Sequence, residues 1–176
     1  MSLIEITEIS HNIVLDMRYA TANNFTNQPI YDCKRCFLRP QALTHLEKAI
    51  DLAAQLGLKL KIFDAHRPQY AQERLWAVCP NPDYITPPER GSHHTRGVAI
   101  DLTLLNKSRQ ELDMGTPFDS FDVSSHHGTS TLSPEAAKNR YTLLGIMMSA
   151  GWDFYVNEWW HYQLFNPRQF ELIPTR

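Results

Sequence analysis

Two stretches carry residue types that could do chemistry. GSHHTRGVAID, residues 91–101, sets His93 and His94 side by side ahead of Asp101, with small residues between them. Near the other end, NEWWHY carries Glu158 and His161. Two histidines and a carboxylate form a common three-ligand set for catalytic zinc, with the fourth position left for water. Bound zinc lowers that water's pKa to about 7, and a nearby glutamate that is not a ligand can relay its proton to a leaving amine. The spacing does not choose between His93 and His94. A plainer reading competes with metal chemistry: loop histidines are ordinarily solvated surface, and an aspartate in a strand can be an edge device. On residue types alone the two readings weigh about equally. The sequence holds no HExxH helix, GxSxG elbow, GxxxxGK[ST] loop or GxGxxG turn that would point to other chemistry.

The elements around these residues constrain what they can share. GVAIDLTL, residues 97–104, reads as a strand with Ala99, Asp101 and Thr103 on one face and the more apolar Val98, Ile100 and Leu102 on the other. Asp101 then points away from the greasy side, and Gly97 and Ala99 are expected to leave room beside it. Glu158 lies three residues before His161. On an unbroken strand the two would face opposite ways, so both reach one site only if the chain turns or bulges near 157–159. Residues 41–56 place Leu43, Leu46, Ala49, Ile50, Ala53 and Leu56 on one helical face, with Gly57 as the stop. LKLKIF, residues 58–63, alternates as a half-buried strand, and Pro68 can open the helix that follows. Residues 12–20 read as a strand entering a loop. A Pro-rich loop follows Cys79, and residues 106–132 form a long polar connection. Ser133-Pro134-Glu135 caps a helix running to about Ser149, with Gly151 ending it. Two short strands are expected near 152–156 and 160–165. Without a βαβ rhythm, the pattern favours an α+β fold, a single domain over residues 1–176.

Composition narrows the function classes. A length of 176 residues suits one core, and a net charge of −2 without a Lys/Arg run asks for neither nucleic acid nor an anionic membrane surface. No apolar run approaches the roughly 20 residues of a membrane-spanning helix. No basic region followed by an apolar segment opens the chain, so the sequence as given is expected to be cytoplasmic, or periplasmic if a leader has been trimmed. Cys33 and Cys36 form a lone CxxC without the second pair that a structural zinc site usually needs; the pair fits a redox couple or a short disulfide, and the plainer reading is two ordinary thiols near a helix start.

Ser92-x-His94-x-x-Gly97-x-Ala99-x-Asp101, followed by Glu158-x-x-His161, resembles the paired signature of the zinc D-alanyl-D-alanine metallopeptidases. That superfamily also holds D,D-carboxypeptidases, endopeptidases and hedgehog-type domains. Further stretches resemble its dipeptidase branch, the type found in vancomycin-resistance clusters. They are Leu15 to Thr21 with Asn24-Phe25, Asp64-Ala65-His66-Arg67-Pro68, Asp113 to Asp119, Lys138-Asn139-Arg140 and Glu158 to His161.

The resemblance implies a hedgehog/D,D-peptidase-like fold, a small, mainly antiparallel sheet packed by helices. It implies one zinc ion per chain held by His94, Asp101 and His161, with Glu158 as general base. It makes Arg67 the group that polarises the scissile carbonyl, Ser92 the hydroxyl on the substrate's carboxylate, and Asp119, helped by Tyr19, the anchor for its ammonium. The implied partner is the small dipeptide D-Ala-D-Ala, and no oligomeric state follows. Many relatives have tyrosine where this chain has His66, which is expected to be a neighbour of the site or a surface residue. Two other activities share the signature: peptidases of peptidoglycan stems, which need an open cleft, and non-catalytic zinc-stabilised domains, which need neither Glu158 nor Arg67.

Overall fold

A computed structural model describes residues 3–174. Its centre is a sheet of five strands in the order β2-β4-β5-β7-β6: β2 (Val14–Leu15), β4 (Lys59–Asp64), β5 (Ala99–Leu105), β7 (His161–Leu164) and β6 (Trp152–Phe154). Only the β2–β4 pairing is parallel. A second sheet pairs β1 (Ile4–Ile6) with β3 (Cys36–Leu38), two short strands that the sequence reading did not anticipate. The helices are α1 (Glu8–His11), α2 (Pro40–Gln55), α3 (Gln69–Val78) and α4 (Pro134–Ala150). The architecture is α+β with a mainly antiparallel central sheet, as the sequence implies. No helix among the described residues is long and apolar enough to cross a membrane.

The sheet's two faces explain where a site can form. Cross-strand partners share a face. Leu60, Ile62, Ile100, Leu102, Leu104, Tyr162, Leu164 and Trp152 therefore lie on one side, and all are buried. Helices α2 and α4 pack together and cover the sheet through β4, β5 and β6. Asp101, Thr103, His161 and Gln163 lie on the other side, the polar one. The alternation read in residues 97–104 is thus real, yet every residue of β5 is buried, because it is the central strand and covered on both faces.

Local signals set the helix ends. Ser133 accepts from the Ala136 N–H at 3.1 Å, and Pro134 occupies the first turn of α4. Gly151 ends α4 at φ 98°, where a Cβ would stand 2.6 Å from His45 Nδ1. On α2, Ala42, Leu43, Leu46, Ala49 and Ala53 are buried. Leu56 departs from the expected face and is 59% exposed, because it caps the helix beyond the last helical residue. Cys33 is exposed and Cys36 is buried within β3, and both are free thiols.

One residue at the sheet's end reports on acid stability. The His127 ring packs edge-on against Phe154 at 4.9 Å, and its Nε2 is buried with no partner among the described residues. Burial, and then the nearby Arg140, hold its pKa down at about 4. The fold therefore favours the neutral ring, and protons taken up below pH ~6.5 go first to the unfolded chain. Stability is expected to fall as pH drops from about 6.5 to about 4. A His127→Phe variant should show a shallower fall when its melting temperature is followed by circular dichroism.

Candidate active site

His94 sits in a turn just before β5, closed by Gly97 N–H to His94 O at 2.9 Å. Asp101 lies within β5, and His161 opens β7 directly opposite it. His94 donates from Nδ1 to the Ala65 carbonyl at 2.7 Å. A carbonyl can only accept, so Nδ1 carries the proton and Nε2 presents its lone pair. That nitrogen lies 3.2 Å from His161 Nδ1 and 3.4 Å from Asp101 Oδ1. His161 Nδ1 and Asp101 Oδ1 are 3.0 Å apart. A tetrahedral centre with bonds of about 2.0–2.2 Å separates its ligand atoms by roughly 3.3–3.6 Å. The residues present thus fit a metal ion, and they are the one such cluster among the described residues. Burial would raise the Asp101 carboxyl, but His94 and His161 outweigh it and hold it ionised.

Consecutive turns resolve the parity problem at Glu158. Glu158 N–H donates to Tyr155 O at 3.2 Å, and His161 N–H to Glu158 O at 3.4 Å. The chain turns as required, and Glu158 Oε2 comes to 3.8 Å from His161 Nδ1. Glu158 is 7% exposed, and burial, then Asp101 and Asp119, push its pKa well above the ordinary carboxyl range.

Arg67 depends on a bulge in β4. Ile62 pairs with Leu102, but Asp64, two residues on, pairs with Asp101. The extra residue turns Asp64 onto the polar face. There Asp64 Oδ2 receives Arg67 Nε at 2.8 Å and Nη2 at 2.7 Å, while Oδ1 receives the Tyr31 hydroxyl at 2.8 Å. Gln72 accepts from Arg67 Nη1 at 2.9 Å and donates to Thr86 O at 2.7 Å. Burial alone would depress the guanidinium, but Asp64 more than offsets it, and Arg67 stays charged. Three of its five N–H groups are engaged in these contacts, which leaves donors on Nη1 and Nη2.

Tyr19 and Asp119 form one end of the same cavity. The Tyr19 hydroxyl donates to Asp119 Oδ1 at 2.8 Å, and the Tyr19 ring lies 4.8 Å beneath the Arg67 guanidinium. Asp119 Oδ2 is buried with no partner among the described residues. Burial raises the Asp119 carboxyl to about 8, against the Tyr19 hydrogen bond, which lowers it. Ser92, 4% exposed, accepts the His94 N–H at 3.2 Å, so its own proton remains free to donate. All eight residues singled out from the sequence line this cavity of about 230 Å³.

The sequence profile of the D-ala-D-ala dipeptidase family matches residues 1–171. The D-alanyl-D-alanine dipeptidase of Escherichia coli strain K12 is 40% identical over 171 residues, 97% of this chain and 89% of that protein. Those of Enterococcus faecium and Enterococcus faecalis are 37% and 35% identical, covering 90% and 92% of this chain and 89% and 90% of theirs. The chain belongs to the D-ala-D-ala dipeptidase family. It is a hydrolase of a metallopeptidase class.

In this family member the structure adds residues that sequence reading passed over. Asp64 and Gln72 bond Arg67 directly, and Tyr31 holds Asp64; an aspartate three residues before the arginine, at a strand end, was the available signal. The Pro-rich loop roofs the cavity. Tyr84 stacks on Phe121 at 4.8 Å, and Tyr155 donates to Asp83 O at 2.8 Å. Gly97 needs a correction. At φ 69°, its missing Cβ would meet Ile173 and Leu3 at 2.9 Å, so it seats the terminal segments and does not make room beside Asp101. His93 is half-buried on the cavity wall, its ring 6.4 Å from that of His161, and burial lowers its pKa to about 3. His66 is half-buried, its Nε2 has no partner among the described residues, burial lowers its pKa to about 4, and it is no part of the ligand cluster.

Proposed function

We propose that the protein is a zinc dipeptidase that hydrolyses D-Ala-D-Ala to two D-alanines. The observation that carries the substrate reading is the partnerless carboxylate oxygen of Asp119, buried in a small cavity that also holds a ligand triad. Its counterpart is a free ammonium group, which would pair with Asp119 and reverse the cost of its charge. The dipeptidase names of the relatives supply the stereochemistry and the side chain.

His94 through Nε2, His161 through Nδ1 and Asp101 through Oδ1 would hold the ion. Bound zinc supplies the Lewis acidity that makes hydroxide available near neutral pH. Glu158 takes the proton of the attacking water on its carboxylate and returns it to the departing nitrogen. Its burial keeps its basicity high enough for both steps. Arg67 directs its remaining N–H groups at the developing oxyanion, with Asp64 and Gln72 fixing the guanidinium plane beforehand. Ser92 donates its hydroxyl to the substrate's carboxylate. Asp119 and Tyr19 take the ammonium, so an acylated amine leaves Asp119 buried and unpaired.

D-alanine release measured against zinc content tests this reading. One zinc per chain is expected, with release from the free dipeptide and little from N-acetyl-D-Ala-D-Ala. Equal hydrolysis of both would make the protein a carboxypeptidase; bound zinc without hydrolysis of either would make it a binding domain.

A further inference from the structure

Lys138-Asn139-Arg140 on α4 stands out in the sequence, and the proposed mechanism gives it no role. Arg140 is 3% exposed, although it does not line the cavity. Its guanidinium donates from Nε to Met114 O at 2.7 Å, from Nη1 to His126 O at 3.3 Å and from Nη2 to Thr116 Oγ1 at 3.2 Å. Asn139 adds a bond from Nδ2 to Asp113 O at 2.9 Å. All four acceptors belong to the 106–132 connection, the segment that carries Asp119.

Thr116 is the knot. Its oxygen also receives Trp159 Nε1 at 2.9 Å, and it lies 2.9 Å from Ser125 Oγ. Ser125 spends its single proton on the Ser120 carbonyl at 2.6 Å, so Thr116 must donate to Ser125. The backbone N–H of Trp159 donates to Ser125 O at 3.1 Å. Every donor and acceptor at Thr116 Oγ1 is used. The chain of bonds runs from Arg140 and Trp159 through Thr116 and Ser125 to Ser120, the neighbour of Asp119. Trp159 is the neighbour of Glu158. Asp119 itself sits at φ 61°, a left-handed backbone that needs support from its surroundings.

We propose that Arg140 is a positioning residue for the substrate's amino terminus: through Thr116 and Ser125 it locks the Asp119 loop to the Glu158 turn. It thereby sets KM for substrates with a free ammonium. The three acceptors meet three different nitrogens of the guanidinium, a spread that the single nitrogen of lysine does not match. The inference rests on Asp119 being the amine anchor.

Steady-state kinetics of the zinc-loaded full chain on D-Ala-D-Ala test it. KM does not depend on how much of the enzyme is folded, whereas a merely structural role lowers only the apparent kcat. Arg140→Lys and Thr116→Val should each raise KM roughly tenfold, the scale of one weakened charge-assisted contact, with a smaller change in kcat. Thr116→Ser, which keeps the hydroxyl, should hold KM near the parent value. Should Arg140→Lys fail to fold, Thr116→Val carries the test. If Asp119→Asn raises KM and the two positioning variants do not, the inference falls alone. If Asp119→Asn leaves KM unchanged, the amine anchor falls, and this inference with it.

Discussion

Replacing Glu158 with glutamine is expected to leave metal binding intact and to lower kcat by roughly 10²–10⁴-fold, the usual worth of a general acid–base group. The amide keeps the shape of the side chain, and Glu158 is not among the three ligand atoms that cluster within 4.8 Å. What is lost is the ability to accept a proton. The same change should raise stability in the metal-free protein. Burial, Asp101 and Asp119 push the Glu158 pKa up, so the fold favours its neutral form. As pH rises above the ordinary value of about 4.3, the unfolded chain ionises first and the parent loses stability. Glutamine does not titrate, so the variant's advantage should open above that pH. Higher melting temperature with lost turnover is the expected pair of results, a site held at a cost to the fold. Turnover close to the parent's, at equal zinc content, would remove Glu158 from the role of base.

The contrast between adjacent histidines is the second large effect. His94→Ala should abolish stoichiometric zinc and all measurable hydrolysis. It removes a donor atom outright, a larger loss than the roughly 10–100-fold in affinity that goes with an outer partner of a ligand. His93→Ala should keep the metal, because the His93 ring reaches only the cavity wall, 6.4 Å from that of His161. Equilibrium dialysis with elemental analysis reads both. A His93 variant that loses zinc as fully as the His94 variant would reverse the assignment.

What could be read from the sequence follows the range of the interactions. The ends of α4 were legible because a capping serine, a proline and a glycine act within one turn. The polar face bearing Asp101 was legible because strand parity is local. The need for a turn before His161 followed from the same parity. The choice of His94 over His93 was not legible from spacing: its tautomer is fixed by the Ala65 carbonyl, 29 residues away. The bulge that brings Asp64 to Arg67 leaves no mark in composition. Strands β1 and β3 are three residues each and pair across about thirty positions, too short to show a pattern. Gly97 was misread because the groups that need its bare Cα come from the two ends of the chain.

The bulge in β4 joins two things that separate assays would treat as independent. Two of the three candidate ligands, Asp101 and His161, depend on the register of β5 with β7, while the third, His94, is oriented by the Ala65 carbonyl just beyond β4. Arg67 depends on that same end of β4, where one extra residue brings Asp64 into line with Asp101. A molecule mispaired by one position there would lose both the ordered guanidinium and the carbonyl that fixes the His94 ring. Zinc content and kcat are therefore expected to fall together in any preparation in which this end of β4 has slipped.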